Sequence, residues 1–343
     1  RRWIGREQFL DLLGATNLIP GPNSTEMAIH VGYLRAGWPG LLVAGACFIL
    51  PAALLVAAIA SAYVRFGTLP QSEAVLYGIK PVIIGVVFQA LWALAKTAVK
   101  SRFLALVALA ALAATLAGVN ELAVLFAGGI AAVVWERGVR RRHSGGAGLA
   151  QVPLLGAAAG TASVTFGLWP LFAVFLKIGA VLFGSGYVLL AFLRADLVER
   201  LHWLTEAQLL DAVAVGQFTP GPLFTTATFI GYVLAGPAGA AVATAGIFLP
   251  AFVFVALSGP FVVRLRRSKT AGAVLDGVNV ASLALMGAVT IQLTGAAIVD
   301  VPTAALASIA ALLLLRFRIN SAWLVLGGGL AGLIALYAPR LLR

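Results

Sequence analysis

Two stretches of this sequence break an apolar chain in the same way. NLIPGPNST, Asn17 to Thr25, places Pro20 and Pro22 around Gly21, and QFTPGPLFTT, Gln217 to Thr226, repeats the trio as Pro220, Gly221 and Pro222. Proline cannot donate a backbone hydrogen bond and fits without loss in the first turn of a helix. Each trio therefore ends one helix and starts another. Irregular backbone of this kind survives at membrane depth only where protein or a wet cavity encloses it.

A membrane is the setting that the rest of the chain demands. Of its 343 residues 61% are hydrophobic and 10% charged, and the mean hydropathy of +1.01 lies outside the range of soluble domains. This composition predicts an all-α polytopic membrane protein. Apolar runs that approach the roughly 20 residues of a bilayer crossing lie near Trp38 to Val64, Ala74 to Ala98, Arg102 to Val119, Glu121 to Trp135, Pro170 to Arg194, Pro237 to Val263, Gly272 to Ala297, Pro302 to Leu315 and Ser321 to Ala338. Val152 to Leu168 reads equally as a span or a surface segment. The net charge of +12 admits an anionic substrate, but basic residues in cytoplasmic loops account for it first, without nucleic acid. The single cysteine, Cys47, excludes an intrachain disulfide and reads as packing. No metal site or cofactor is expected.

The breaks belong to a larger repeat. Trp3, Gln8, Leu10, Asp11 and Thr25 match Trp203, Gln208, Leu210, Asp211 and Thr225. After a one-residue deletion, Gly32, Tyr33, Gly37, Gly40, Pro51 and Gly78 match Gly231, Tyr232, Gly236, Gly239, Pro250 and Gly277. The chain reads as a tandem duplication: a first repeat over 1–135, a basic cytoplasmic linker and connecting segment over 136–165, and a second repeat over 166–343. The second repeat opens with FLKIGAVLFGSGYVLLAFLR, which has no counterpart in the first, and the sequence starts at Arg1. The expectation is an N-terminally truncated first repeat.

Basic residues mark the cytoplasmic ends of short loops, and matched loops of the two repeats disagree in phase. Arg1, Arg2, Arg6 and Arg35 face Leu201, His202, Glu206 and Leu234; Arg65 faces Arg264, Arg266, Arg267 and Lys269; Lys96, Lys100 and Arg102 face Asp300; Asn120 and Glu121 face Arg316 and Arg318. This alternation predicts inverted-topology repeats; only Arg340 and Arg343, on an outer C-terminal end, depart from it. Arms of about 13 residues span roughly 20 Å against roughly 30 Å of hydrocarbon. Gln8 to Arg35 and Gln208 to Leu234 are therefore expected to be re-entrant helical hairpins.

The second arms of these hairpins start near Asn23 and Leu223, so their first-turn amides and positive dipole ends point into the membrane, where an anion is favoured. Inverted repeats bring two such ends together, which suits a dianion. The predicted binding residues are Pro20, Gly21, Pro22, Asn23, Ser24, Thr25, Pro220, Gly221, Pro222, Thr225 and Thr226, the hydroxyls serving as neutral donors. Lys80 and Lys177 lie inside apolar runs, where they either face the substrate path or snorkel. Asp11, Glu26, His30 and Asp211 are candidate proton carriers, or simply interfacial residues on the hairpin arms. Phe183 to Tyr187, FGSGY, allows a close helix approach or a further break.

FLDLLGATNLIPGPNSTEMAIHVGYLRAGWPG with FILPAALL, and WLTEAQLLDAVAVGQFTPGP with TFIGYVLAGPAG and FLPAF, resemble the chromate ion transporter family, of the long type with two homologous halves. The resemblance covers nearly the whole chain. It implies a carrier of the bacterial inner membrane that exports chromate and confers chromate resistance; the family's first helix, with its glycine motif, has no match here. The sequence carries no G-x-x-x-x-G-K-[ST] loop, so proton or membrane-potential coupling is the expected energy source, not ATP. Sulfate is the nearest alternative substrate. An intramembrane hydrolase with Ser185 as nucleophile lacks a histidine partner and a GxSxG motif, and a non-transporting scaffold leaves the duplicated breaks without a purpose. The reading is of a transporter and not an enzyme, with a tetrahedral oxyanion and the lipid bilayer as its partners; oligomeric state is not legible.

Overall fold

Apolar runs become helices here because a bilayer offers no water to exposed backbone groups, and a helix satisfies its own. The computed structural model of the chain describes residues 19–144, 165–183, 186–258, 269–317 and 319–341, with residues 5, 9, 12 and 16 before them. The principal helices are α1 (Asn23–Phe66), α2 (Pro70–Ala98), α3 (Arg102–Leu116), α4 (Glu121–Ser144), α5 (Leu168–Val181), α6 (Leu189–Leu193), α7 (Glu206–Phe218), α8 (Thr226–Ser258), α9 (Lys269–Ala297), α10 (Val301–Phe317) and α11 (Ser321–Leu341). Four helices among the described residues are long and apolar enough to cross a membrane. Large apolar side chains such as Leu54, Phe126, Trp169 and Ile334 are exposed on the outside, as lipid-facing positions are. The chain is an all-α polytopic membrane protein.

Helices α1 and α8 each contain a reversal. Ala36 and Gly37 leave helical geometry in α1, as Ala235 and Gly236 do in α8, with φ +61° at both glycines. That left-handed conformation is open to glycine and strained for other residues. Beyond the turn the chain runs back along itself. A Cβ on Gly32 would lie 2.3 Å from the Gly40 carbonyl oxygen, and one on Gly231 2.3 Å from that of Gly239. The hydroxyls of Thr228 and Thr244 meet at 2.7 Å on the same seam. Each of these helices is thus a short arm, 23–35 or 226–234, laid antiparallel against a long one.

The run from Pro170 to Arg194, expected to be one crossing, is not one helix. Helix α5 stops at Val181, and a 3-10 turn (Gly186–Val188), α6 and a π-helical turn (Arg194–Arg200) follow. Phe166 meets Trp203 edge-on with ring centroids 5.1 Å apart, and Lys177 pairs with Asp196. Those contacts pair residues before the break with residues after it in reverse order, so this segment also doubles back. The physical reason is FGSG: two glycines within four residues remove the side-chain packing and raise the entropic cost that a continuing helix must offset.

The two halves exchange helices. α2 of the first half packs on α10 and α11 of the second, while α9 of the second packs on α3 and α4 of the first. The contacts are reciprocal in detail: Gly78 abuts Gly328 and Gly332, and its counterpart Gly277 abuts Gly128 and Ala132. Small residues spaced by four let backbones approach closely, which is the main source of helix association in lipid. This interlock fixes α7 of the second half beside α1 and α2 of the first.

Candidate functional site

The two proline trios meet at one cavity. Pro22 and Pro222 are both extended, and neither helical start that follows, at Asn23 or Leu223, is capped by a side chain. Gly21 and Gly221 take φ of 140° and 148°, which turns the chain sharply between its two prolines. The Gly21 N–H donates to the Leu182 carbonyl at 2.8 Å, tying the first break to the end of α5. A Cβ on Gly221 would fall 2.4 Å from the Ala52 side chain, so the second break sits tightly against the long arm of α1.

Between the breaks lies a cavity of about 420 Å³ lined by Pro22, Asn23 and Ser24 from the first half and by Gln217, Thr219 and Gly221 from the second, with Gly186 at its edge. Among the described residues, no charged side chain lines it. What it presents to a guest is backbone at two helical starts, the side chains of Asn23, Ser24 and Gln217, and beside them the apolar Leu223 and Phe224. Such a lining stabilises negative charge through dipoles and donors alone.

Gln217 and Thr219 were missed in the sequence reading. Their signal was position: Gln217 in QFTPGP corresponds to Asn17 in NLIPGP, a polar residue just before each trio. The Thr225 and Thr226 hydroxyls that the sequence offered as ligands are spent on nearby carbonyls, as is that of Thr219, which donates to the Val215 carbonyl at 2.7 Å. Thr225 donates to the Pro222 carbonyl at 2.9 Å and Thr226 to that of Leu223 at 2.8 Å. Threonine at the start of a helix readily bonds back to its own turn in this way, so these two side chains are buried in the wall. Thr25 is buried too, and its hydroxyl has no hydrogen-bond partner.

Neither intramembrane lysine lines the cavity. Lys80 of α2 pairs with Asp211 of α7, Nζ to Oδ1 at 3.2 Å, and the Tyr63 hydroxyl donates to Asp211 Oδ2 at 2.8 Å. Asp211 is thereby held by two residues of the other half. Lys177 is drawn away from the breaks by Asp196, which also takes Arg200 at 2.8 Å. Arg194 nearby reaches Glu206 at 2.6 Å, Gln292 at 2.7 Å and Glu199. A charge in low dielectric is stable only with a partner, and each lysine finds a carboxylate.

The remaining candidates lie on the short arm of α1. Glu26 is fully buried, its carboxyl folded against Gly21. His30, one turn further on, donates from Nδ1 to the Glu26 carbonyl at 3.0 Å, and its Nε2 meets the Ser258 hydroxyl at 3.1 Å. Asp11, Ser185 and the basic loop residues Arg264, Arg266 and Arg267 lie outside the described residues.

Comparison with known proteins gives one consistent result. The family model described as chromate transporter matches residues 1–133 and 169–333. A chromate transport protein of Cupriavidus metallidurans is 35% identical over 98% of this chain and 85% of its own length. A chromate transport protein of Pseudomonas aeruginosa is 31% identical over 96% of the chain and 83% of its own. A probable chromate transport protein of Synechococcus elongatus is 30% identical over 88% and 78%. No solved structure matches. These relatives are named for transport and not for catalysis.

Proposed function

The chain belongs to the chromate transporter family, and from that premise we propose that it is a secondary active transporter that exports chromate across the bacterial plasma membrane and so confers chromate resistance. The observation that carries this reading is the cavity shared by the two proline breaks, with no charge among its described lining side chains and two uncapped helical starts beside it. A dianion held by dipoles and neutral donors is bound without a salt bridge that would hinder its release. Pro22, Asn23, Ser24, Gln217, Thr219 and Gly221 form the binding surface; Pro20, Gly21, Pro220 and Pro222 shape the turns behind it.

In this reading the two halves lie in opposite orientations, and the breaks are re-entrant hairpins that meet near the midplane. The reciprocal packing of α2 and α9 supports a two-fold relation between the halves, and the alternating loop charges support an axis in the membrane plane. A dianion leaving a negative-inside cell gains about 4.6 kcal/mol per 100 mV of membrane potential, so export runs without ATP. The Lys80–Asp211 pair, which joins the halves, is the contact that a rocking motion would break and remake.

Sulfate has the charge and tetrahedral shape of chromate, and nothing in the cavity lining separates the two by chemistry. Uptake of labelled chromate into proteoliposomes under an imposed membrane potential, with sulfate as competitor and with or without a pH gradient, tests the reading. Potential-driven chromate flux supports it; flux of neither anion ends it.

A further inference from the structure

Glu26 is the one buried carboxyl in the described structure that is fully enclosed and has no hydrogen bond or ion pair to either oxygen. It stands on the first turn of the short arm of α1, two residues beyond Ser24 of the cavity lining. Its Oε1 occupies the place that a side chain on residue 21 would fill, 2.3 Å from an ideal Cβ. The carboxyl therefore packs against the turn whose next residue, Pro22, lines the cavity. The second half has Thr226 at the matching position, so the arrangement occurs once per chain.

Among the described residues, the surroundings offer an ionised Glu26 no partner. On its own arm, Thr25 is a buried hydroxyl and His30 is occupied by the Glu26 carbonyl and Ser258. The long arm of α1 brings Arg65 at its far end and Tyr63, whose hydroxyl is given to Asp211. Packed against α1 are α8, the 223–225 turn and α7. Between Leu223 and Ser258 there is no acidic or basic residue and one phenol, Tyr232. In α7, Glu206 is held by Arg194, and Asp211 by Lys80 and Tyr63. An unpaired carboxylate in such a place is costly, and a dianion one turn away adds repulsion to that cost. A protonated Glu26 removes the charge and gains an O–H that can donate.

We propose that Glu26 is a proton site linked to the anion cavity, so that binding a dianion takes up one proton onto the Glu26 carboxylate. The inference rests on the cavity being the anion site. Linkage is reciprocal: the anion raises the affinity of Glu26 for its proton by the factor by which that proton raises the affinity for the anion. In transport terms, one of the two negative charges in the cavity is offset while the anion is bound.

The test is binding of chromate to the purified full chain across a pH series that starts above neutrality, where chromate is itself a dianion and takes up no proton, and extends to alkaline buffers in which free Glu26 is ionised. Calorimetry in buffers of different ionisation enthalpy counts the protons. Wild type is expected to absorb no proton while free Glu26 is still protonated and to approach one proton per anion once it is ionised, with the dissociation constant then rising up to about tenfold per pH unit. Glu26→Gln, which mimics the protonated acid, is expected to bind chromate with no proton uptake and a flat pH profile, and Glu26→Asp to keep the slope. Binding by wild type without proton uptake at every pH of the series, or uptake that persists in Glu26→Gln, overturns the proposal. If neither protein binds chromate, the anion cavity itself is refuted, and the proton linkage falls with it.

Discussion

Lys80 Nζ lies 3.2 Å from Asp211 Oδ1, and the two residues come from different halves of the chain. Asp211 is almost fully buried, and Lys80 is 20% exposed. The pair anchors α2 of the first half to the arm that leads into the second proline break.

Removing Lys80 alone leaves a buried carboxylate with only the Tyr63 hydroxyl. Breaking one side of such a pair costs about 3 kcal/mol or more, while removing both charges costs much less. Lys80→Gln is therefore expected to lower the unfolding midpoint in detergent well below wild type, and Lys80→Gln with Asp211→Asn to recover most of the loss. Transport should fall in both, if this contact is remade in each cycle. A double variant as unstable as the single one would show that the pair is incidental.

The reversals at Gly37 and Gly236 make a second expectation. Both glycines have φ of +61°, and an alanine forced there is strained by roughly 1–2 kcal/mol. Gly37→Ala and Gly236→Ala should each lower thermal stability. Gly295→Ala, in α9 with open space where its Cβ would lie, should be neutral or slightly stabilising, because alanine is the better helix former. Equal effects at all three sites would remove the argument from backbone strain.

Loop charge predicts orientation. The loop at Arg264 to Lys269 is expected in the cytoplasm and the matching loop at Arg65 outside. Cys47 is exposed on the outer surface of the bundle, so it must be replaced before single cysteines are placed in the two loops and labelled with an impermeant reagent. Labelling of both from the same side would exclude inverted repeats.

The sequence was legible where one residue type has one physical use. Glycines and prolines in register are the basis for reading a duplication, and glycines of that register make the turns at Gly21, Gly37, Gly221 and Gly236. Long apolar runs announced α2 and α9. Legibility failed where the outcome depends on who stands opposite. Lys80 and Lys177 looked alike in their apolar runs; only the fold gives one to Asp211 and the other to Asp196. Thr225 and Thr226 looked like ligands, and local geometry sends their hydroxyls to their own turn instead. The Pro170 to Arg194 run had the length of a crossing, and its glycines folded it back. Gln217 and Thr219 became visible only once the cavity between the halves was in view.

The proline breaks carry the last expectation. If two uncapped helical starts hold one dianion, closing either break should abolish binding even though it improves helix propensity. Pro20→Ala with Gly21→Ala lets the backbone of the first arm continue as a helix, so the amides at the start of α1 would be spent on preceding carbonyls. It also places a methyl group against Glu26, so Pro220→Ala with Gly221→Ala is needed as an independent test on the half that has no such carboxyl. Both variants are expected to lose chromate binding by more than tenfold at matched membrane abundance. Thr225→Val removes a hydroxyl that bonds only to its own turn and should leave binding within about threefold, a cost of about 0.6 kcal/mol. Gln217→Leu takes a polar group out of the cavity lining and should weaken binding by more than Thr225→Val does. Equilibrium binding of labelled chromate to purified protein decides the order of these effects. Normal binding in both alanine variants would mean that the breaks serve only as turns and that the anion is held elsewhere.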